Sequence, residues 1–187
     1  MRSVVATGLI AVLGSAGLAG AELRHVTVDR NEDLYRLQSV TWFGASREAL
    51  YRVLTDYDRF DKFTSAIVES RNVDPDDEGR PQFFTRMEGC VLLFCKSFIR
   101  NGHLELDPHV EIVAIVDPER SDFKRSRERW LLIPDDEGTV LVYEFEMVPD
   151  FWVPPVIGPY YIMKALKAGG EKAVNRIEAL AIAEDER

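Results

Sequence analysis

The sequence is poor in the residues that most often carry catalysis and metal binding. It contains three histidines and two cysteines, and His25, His103 and His109 match no known catalytic or metal-ligand spacing. It has no Gly-x-Ser-x-Gly, Cys–His or His-Glu-x-x-His pattern, and no glycine-rich loop follows a predicted strand. The sequence therefore gives little support to a familiar active site, and we predict neither a metal nor another cofactor.

Basic residues are also in deficit. The chain has 23 Lys and Arg against 32 Asp and Glu, which gives a formal net charge of −9. Such an acidic protein is a poor partner for nucleic acid and is repelled at long range by anionic lipid surfaces. No second hydrophobic segment after the N-terminus approaches membrane-spanning length, so we expect a soluble mature protein.

The N-terminus has the layout of a secretory signal peptide. Arg2 is followed by a short apolar run to Leu18, and Ala19-Gly20-Ala21 fits an A-x-A cleavage site. The alternative is a membrane anchor, but the run is short and diluted by Gly and Ser. We expect a signal peptide at 1–21, one domain at 22–187, and a periplasmic or secreted location in a bacterial envelope.

The two cysteines, Cys90 and Cys95, remain after this cleavage. An oxidising compartment favours a bridge between them, and the strand pattern places a hairpin turn between them, which would bring their Cβ atoms together. No second Cys pair or nearby His cluster completes a metal site. We predict a disulfide, with two free thiols as the alternative.

Hydrophobic periodicity predicts a short helix among many strands. The segment 34–43 alternates as a strand, and Ser46 is a plausible N-cap for an amphipathic helix that runs to about Tyr57. From Ala66 onward the period is two, with turn residues between the runs. This pattern predicts six further strands, at 66–73, 81–91, 95–106, 110–117, 122–133 and 139–148. Short connections imply antiparallel pairing.

The last predicted element is a long helix that begins near Pro159, a residue suited to the first helical turn. Apolar residues recur on one face, and 25 residues would reach about 37 Å. It follows the stretch VPDFWVPPVIGPYY at 148–161, which we call the collar. Its prolines remove backbone donors, so the collar cannot extend the sheet.

This order of elements resembles the START-like, or helix-grip, superfamily, in particular its bacterial polyketide cyclase and coenzyme Q-binding families. The stretches that carry the resemblance are LTDYDRFDKFTSAIVESRNV at 54–73, SDFKRSRERWLLIPDDEGTVLVYEFEMVPDFWVPP at 121–155, and the terminal helix. The resemblance implies an α+β fold in which a curved antiparallel sheet of about six or seven strands wraps around the C-terminal helix. It also implies a cavity between the two that holds a lipid, sterol, quinone or polyketide.

Strand alternation and helical spacing select the residues that would line such a cavity. In the last strand Tyr143 and its alternate neighbours should face the helix, because Glu144 and Glu146 occupy the other face. The predicted ligand-binding residues are Trp130, Leu132, Leu141, Tyr143, Phe145, Met147, Ile162, Leu166, Gly169, Gly170 and Ala173. A packed core is the alternative for all of them, and close packing or tolerance is the alternative for the two glycines.

The collar residues Phe151 and Trp152 are predicted at the cavity mouth. Trp suits a membrane–water boundary, so the mouth could touch a bilayer during ligand uptake. The alternative is that these residues plug the end of the core.

Two further features concern the strand at 122–133. Arg125, Arg127 and Arg129 alternate along one face, which favours a solvated surface. Glu128 lies on the opposite face with Trp130, and a buried carboxylate there needs a partner. Arg100, on what we take to be a neighbouring strand, is a candidate.

From these observations we expect reversible binding or carriage of a hydrophobic small molecule. The alternatives are a cyclase-type enzyme that uses a carboxylate in the same cavity, and an envelope interaction module with a filled cavity. The sequence identifies neither the ligand nor the oligomeric state.

Overall fold

The structure of the protein, a computed structural model, describes residues 20–91, 94–155 and 157–187. The predicted signal peptide lies outside the described residues, except for its last two positions. The described strands are β1 (Glu22–Asn31), β2 (Leu34–Phe43), β3 (Ile67–Val73), β4 (Gln82–Val91), β5 (Phe94–Asp107), β6 (Glu111–Val116), β7 (Phe123–Asp135) and β8 (Gly138–Pro149). The described helices are α1 (Arg47–Thr55) and α2 (Gly158–Asp185), and 3₁₀ turns lie at Tyr57–Lys62 and Pro118–Arg120.

All of these strands form a single antiparallel sheet. Its order is β1-β2-β8-β7-β6-β5-β4-β3, so consecutive strands are neighbours except where α1 and the first 3₁₀ turn separate β2 from β3. The predicted α+β class and the antiparallel sheet are confirmed. The described sheet has eight strands, slightly more than predicted, because β1 was not expected. A register shift between Leu23 and His25 interrupts the alternation that would reveal this strand.

Helix α1 begins where the sequence predicts. The Ser46 hydroxyl accepts a hydrogen bond from the Ala49 N–H at 3.1 Å, which satisfies one of the free donors at the helix start. Leu50 and Leu54 are fully buried, and the helix packs on β6 and β7. The 3₁₀ turn that follows buries Tyr57 and Phe60 against the same face of the sheet.

Helix α2 has 28 residues, which corresponds to about 42 Å. Its last turns are fixed to the core, because Ala181 is fully buried and Ile177 nearly so. Near this end the Gly44 N–H donates to Glu178 at 3.0 Å, and Ser46 binds the Asp185 carboxylate. The helix packs on α1, β1 and β2. Within the described part of the chain, no helix combines the length and apolar character needed to span a bilayer.

The two faces of the sheet differ in chemistry. The inner face, which the helices cover, carries the hydrophobic core. The outer face carries cross-strand ion pairs: Arg125 pairs with Glu146, and Arg129 pairs with Glu144 at 3.3 Å. The predicted solvated face of β7 is thus a ladder of partly exposed ion pairs.

Candidate functional site

The structure places the predicted residues of β7 and β8 together on the inner face. Trp130 lies opposite Tyr143, and Leu132 lies opposite Leu141. All the predicted residues of these two strands are buried except Tyr143, which is half-buried. They therefore lie between the sheet and the helices, as the alternation predicts.

The predicted residues of α2 lie along a half-buried stripe at spacings of three or four: Ile162, Leu166, Gly169 and Ala173. A Cβ atom built on Gly169 would meet no other atom within 4 Å, and one built on Gly170 would lie 3.8 Å from Leu37 Cδ1. Both positions thus have room for a methyl group. Close packing does not explain the two glycines, although each weakens the helix by up to ~1 kcal/mol relative to Ala.

A buried ion pair lies on the inner face. Arg100 Nη1 donates to Glu128 Oε1 at 2.7 Å, and the two side chains are only 4% and 8% exposed. The pairing anticipated from the sequence is therefore present, although Arg100 is on β5, two strands away from β7 rather than next to it. Ala114 on the intervening β6 lies opposite Glu128 and leaves room for the long arginine side chain. The guanidinium also lies 5.7 Å from the ring centre of Phe83.

Several buried polar atoms around this pair have no hydrogen-bond partner among the described residues. They are Tyr57 Oη, Thr85 Oγ1, Arg100 Nε, Arg100 Nη2 and Ser126 Oγ. Thr85 lies directly opposite Arg100 in the β4–β5 register, and Ser126 precedes Glu128 by two residues on the same face. A buried polar group without a partner costs about 1–3 kcal/mol, so native proteins supply water or a ligand to such groups. Six residues form what we call the polar cluster: Tyr57, Thr85, Arg100, Ser126, Glu128 and Tyr143.

The tyrosines of the polar cluster remain protonated at neutral pH. Burial raises the pKa of Tyr57 well above its usual value, the Glu128 carboxylate raises it further, and Arg100 opposes the change. The pKa of Tyr143 is raised for the same reasons. Burial is the largest single cause and lowers the pKa of Arg100, but the combined contributions of Glu128, Tyr57 and Tyr143 outweigh it, so the net direction is upward. The cluster thus holds one cation, one anion and neutral hydroxyl groups.

The two collar residues predicted at the cavity mouth, Phe151 and Trp152, have different surroundings. The Phe151 ring centre lies 4.3 Å from that of Phe98 and 5.9 Å from that of Phe123, so Phe151 packs against the end of the core. Trp152 is 79% exposed. The structure thus puts Phe151 in the position of the plug alternative and leaves Trp152 on the surface.

The predicted disulfide is confirmed. Cys90 and Cys95 are directly opposite in the β4–β5 register, and their sulfur atoms are bonded at 2.03 Å. The bridge closes the end of the hairpin next to Lys96, whose ammonium lies 4.8 Å from the Phe151 ring centre. The cysteines thus fix the hairpin that supports the collar.

A surface depression of about 440 Å³ lies elsewhere, between α1 and the β7–β8 turn. Its walls include the carboxylates of Glu48, Glu137 and Asp185. Anionic, open walls do not suit an apolar ligand. We take the inner face as the candidate site because the polar cluster lies there.

Sequence reasoning missed three members of the polar cluster: Tyr57, Thr85 and Ser126. A weak signal exists for two of them, because residues two positions apart on a strand share a face. Thr85 therefore shares a face with the apolar Phe83, and Ser126 shares one with Glu128. Tyr57 carries no such signal, since it falls at the end of the predicted helix.

Sequence comparison identifies the family of this chain. The profile described as "Polyketide cyclase / dehydrase and lipid transport" matches residues 43–160. The chain belongs to this family. The matched segment contains every member of the polar cluster. Among curated proteins, none matches the sequence significantly.

Solved structures related to this family member share its fold. A START superfamily protein from Mycobacterium smegmatis has a TM-score of 0.61 at 16% identity, over 79% of this chain and 97% of that one. A STAR-related lipid transfer protein from Xanthomonas axonopodis has a TM-score of 0.61 at 14% identity, over 84% and 98%. The Zhui aromatase/cyclase from Streptomyces sp. R1128 has a TM-score of 0.55 at 15% identity, over 82% and 94%. These likenesses confirm the START-like helix-grip fold.

Proposed function

We propose that the protein binds a hydrophobic small molecule between the inner face of the sheet and α2, and that the polar cluster holds the polar end of this ligand. The observation that carries the proposal is the set of five unpartnered polar atoms around the Arg100–Glu128 pair. A purely structural core gains little from such atoms, because each one costs free energy unless something binds it. A ligand oxygen would satisfy several of them at once.

The chemistry of the polar cluster favours a neutral acceptor. Every unpartnered atom can donate a hydrogen bond, since the guanidinium donates only and the hydroxyl groups donate or accept. Arg100 is already balanced by Glu128, so an anionic ligand would bring an uncompensated charge into a buried site. A carbonyl, hydroxyl or ether oxygen fits better than a carboxylate or phosphate. Isoprenoid quinones, sterols and polyketide-like molecules carry such groups.

The apolar part of the ligand would lie beside the aromatic residues and the α2 stripe. Trp130 and Tyr143, whose ring centres are 5.5 Å apart and whose planes are tilted by 31°, offer aromatic surface next to the ion pair. The open space beside Gly169 gives the ligand room along the helix. Burial of apolar area would supply roughly 25 cal/mol per Å².

The structural relatives support this class of ligand, since they include a lipid transfer protein and an aromatase/cyclase. A cyclase-type reaction is the alternative function. Glu128 is the carboxylate of the polar cluster, so such a reaction would depend on it. Conversion of a bound ligand, lost on Glu128→Gln, would favour the enzyme.

We also propose that the protein acts in the bacterial envelope. The support is the signal-peptide pattern at 1–21 and a disulfide, which is typical of oxidising compartments. N-terminal sequencing of protein purified from the envelope should begin at Glu22. An intact Met1 in the membrane fraction would contradict this.

The test of ligand binding begins with native mass spectrometry and lipid extraction of protein from its own envelope, which should show a defined apolar molecule. The delipidated protein is then titrated with a series of ligands that share one hydrocarbon body and end in a ketone, a hydroxyl, a carboxylate or a methyl group. We expect the neutral oxygen ligands to bind most tightly. Equal affinity for the ketone and the methyl ligand would contradict a role of the polar cluster.

Thr85→Val with Ser126→Ala is the variant that isolates this role, because it removes two unpartnered hydroxyls with little change of volume and none of charge. It should reduce the preference for the ketone over the methyl ligand. Thr41→Val is the matched control, since Thr41 is a buried hydroxyl residue on β2, opposite Leu141. It should leave the preference unchanged.

A further inference from the structure

The collar and the start of α2 expose large apolar side chains that the core does not use. Trp152 is 79% exposed, Tyr160 62% and Ile157 42%. The first two are the most exposed large hydrophobic residues among those described, and all three fall within nine positions of the chain. Single exposed apolar residues are ordinary, but a contiguous group indicates an interaction site.

Local packing holds these side chains on one surface. The chain folds back at Gly158, whose N–H donates to the Pro154 carbonyl at 2.9 Å. A Cβ atom on Gly158 would lie only 2.5 Å from Val153, so this close approach requires glycine. The fold therefore holds Val153, the neighbour of Trp152, against Gly158, the neighbour of Ile157.

The same surface lacks the negative charge that dominates the rest of the protein. No Asp or Glu occurs at 151–170 or at 89–104, although the chain has 32 such residues and a net charge of −9. Lys164 and Lys167 are exposed and lie one and two turns beyond Tyr160 on the same helical face. Lys96 on the β4–β5 hairpin adds a third cation next to the collar, with its ammonium 4.8 Å from the Phe151 ring centre.

Carboxylates near this surface are paired or face away. Asp150 lies 3.8 Å from the ammonium of Lys124. Glu88 is opposite Ser97 in the hairpin, whereas Lys96 is opposite Gly89. Because successive residues of a strand point to opposite faces, Glu88 and Lys96 lie on different faces of the hairpin.

We infer that this surface docks the protein on an anionic lipid bilayer. Trp and Tyr favour the membrane–water boundary, and the lysines extend to anionic headgroups while their methylenes remain on apolar surface. Each lysine close to such a surface strengthens binding about fivefold. The net negative charge of the rest of the protein opposes docking little at physiological salt, since charges farther than about 8 Å from the bilayer are largely screened. This inference rests on the proposed function, because docking would serve to bring the collar to the membrane that supplies the ligand.

The test is flotation of the purified chain with two kinds of vesicle: phosphatidylcholine alone, and phosphatidylcholine mixed with phosphatidylglycerol. We expect tighter binding to the mixed vesicles, and Lys164→Gln with Lys167→Gln should weaken it by about thirtyfold, which is the product of two lysine contributions. Trp152→Ala should weaken binding to both kinds of vesicle. Quenching of tryptophan fluorescence by brominated lipid should be lost in Trp152→Phe.

The matched control is Arg47→Gln with Arg52→Gln, which removes the same charge at the other end of α2, where Arg52 donates to the Glu184 carbonyl. It should bind the mixed vesicles like the unchanged chain. Equal effects of the two double variants, or equal binding to both kinds of vesicle, would overturn the inference. So would a dimer in lipid-free solution that Trp152→Ala dissociates, because the surface would then serve a second copy. Titration with the ketone ligand without vesicles tests the proposed function separately.

Discussion

Separate and joint replacement of Arg100 and Glu128 should have opposite consequences for stability. The side chains are 4% and 8% exposed and meet at 2.7 Å, so each neutralises the other in a low-dielectric site. Arg100→Met leaves a buried carboxylate and Glu128→Leu leaves a buried guanidinium. Removal of one partner from a buried pair costs about 3–5 kcal/mol, whereas apolar replacement of both is often neutral or stabilising.

We therefore expect each single variant to lose about 3–5 kcal/mol of unfolding free energy and the double variant to recover most of it. The resulting coupling energy would exceed the ~0.5–3 kcal/mol found for most contacting residues. Urea denaturation of the four proteins at neutral pH measures it. The double variant should also show a smaller preference for the ketone over the methyl ligand, because the guanidinium donors are gone while the hydroxyl donors remain.

Arg129→Met is the matched control on the same strand. Arg129 Nε binds Glu111 at 2.6 Å, but these side chains are 28% and 32% exposed, so solvent compensates for the lost pair. It should cost no more than about 1 kcal/mol. If Arg100→Met costs as little as Arg129→Met, the inner-face pair is solvated and its assignment to a dry ligand site is wrong. If the double variant is as unstable as the singles, the pair is needed for folding itself.

Three further outcomes are expected. Replacement of Cys90 and Cys95 by Ser should cost about 2 kcal/mol or less, because the bridge closes a short loop; thiol titration of the denatured, unreduced protein should find no free thiol. Leu166→Ala should cost less than the ~2–5 kcal/mol that loss of a core leucine costs, because Leu166 is half-buried. Thermal melts measure this, and a loss of stability within the full core range would contradict the prediction. Burial raises the pKa of Glu178, so the folded state holds its proton more firmly, and stability falls as pH rises from the unfolded pKa through the folded pKa. Glu178→Gln lacks this titration, so its stability relative to that of the unchanged chain should increase as pH rises above about 4. Parallel profiles of stability against pH would refute this.

The sequence predicts the architecture well because most elements depend on local signals. β2 has its predicted bounds, 34–43, and α1 begins after the predicted cap at Ser46. The exception is β1, where the shift between Leu23 and His25 breaks the alternation. Register explains the confirmed disulfide, since the hairpin turn places the two cysteines opposite each other.

The site is predicted less completely because it depends on long-range register. Glu128 lies on the same strand face as Trp130, so the sequence predicts that its buried carboxylate needs a partner. Arg100 is the candidate partner that the sequence indicates. The β4–β5 register that pairs Cys90 with Cys95 also places Thr85 opposite Arg100, but only the fold shows that this pair lies on the inner face beside Glu128. Tyr57 reaches the polar cluster only because the 3₁₀ turn after α1 packs on the sheet.

Under the proposed function, the polar groups that would recognise the ligand are separate from the residues at which it would enter. The inner face concentrates its donors at the Arg100–Glu128 pair, where burial strengthens each hydrogen bond and makes each unpaired donor costly. The collar concentrates exposed apolar and cationic groups, whose interactions with a bilayer are individually weak and additive. A ligand that leaves a membrane at Trp152 would exchange many weak contacts for a few strong ones at the polar cluster. Affinity for the bilayer and selectivity for the ligand should therefore respond to different substitutions, and a variant at either place should leave the other property intact.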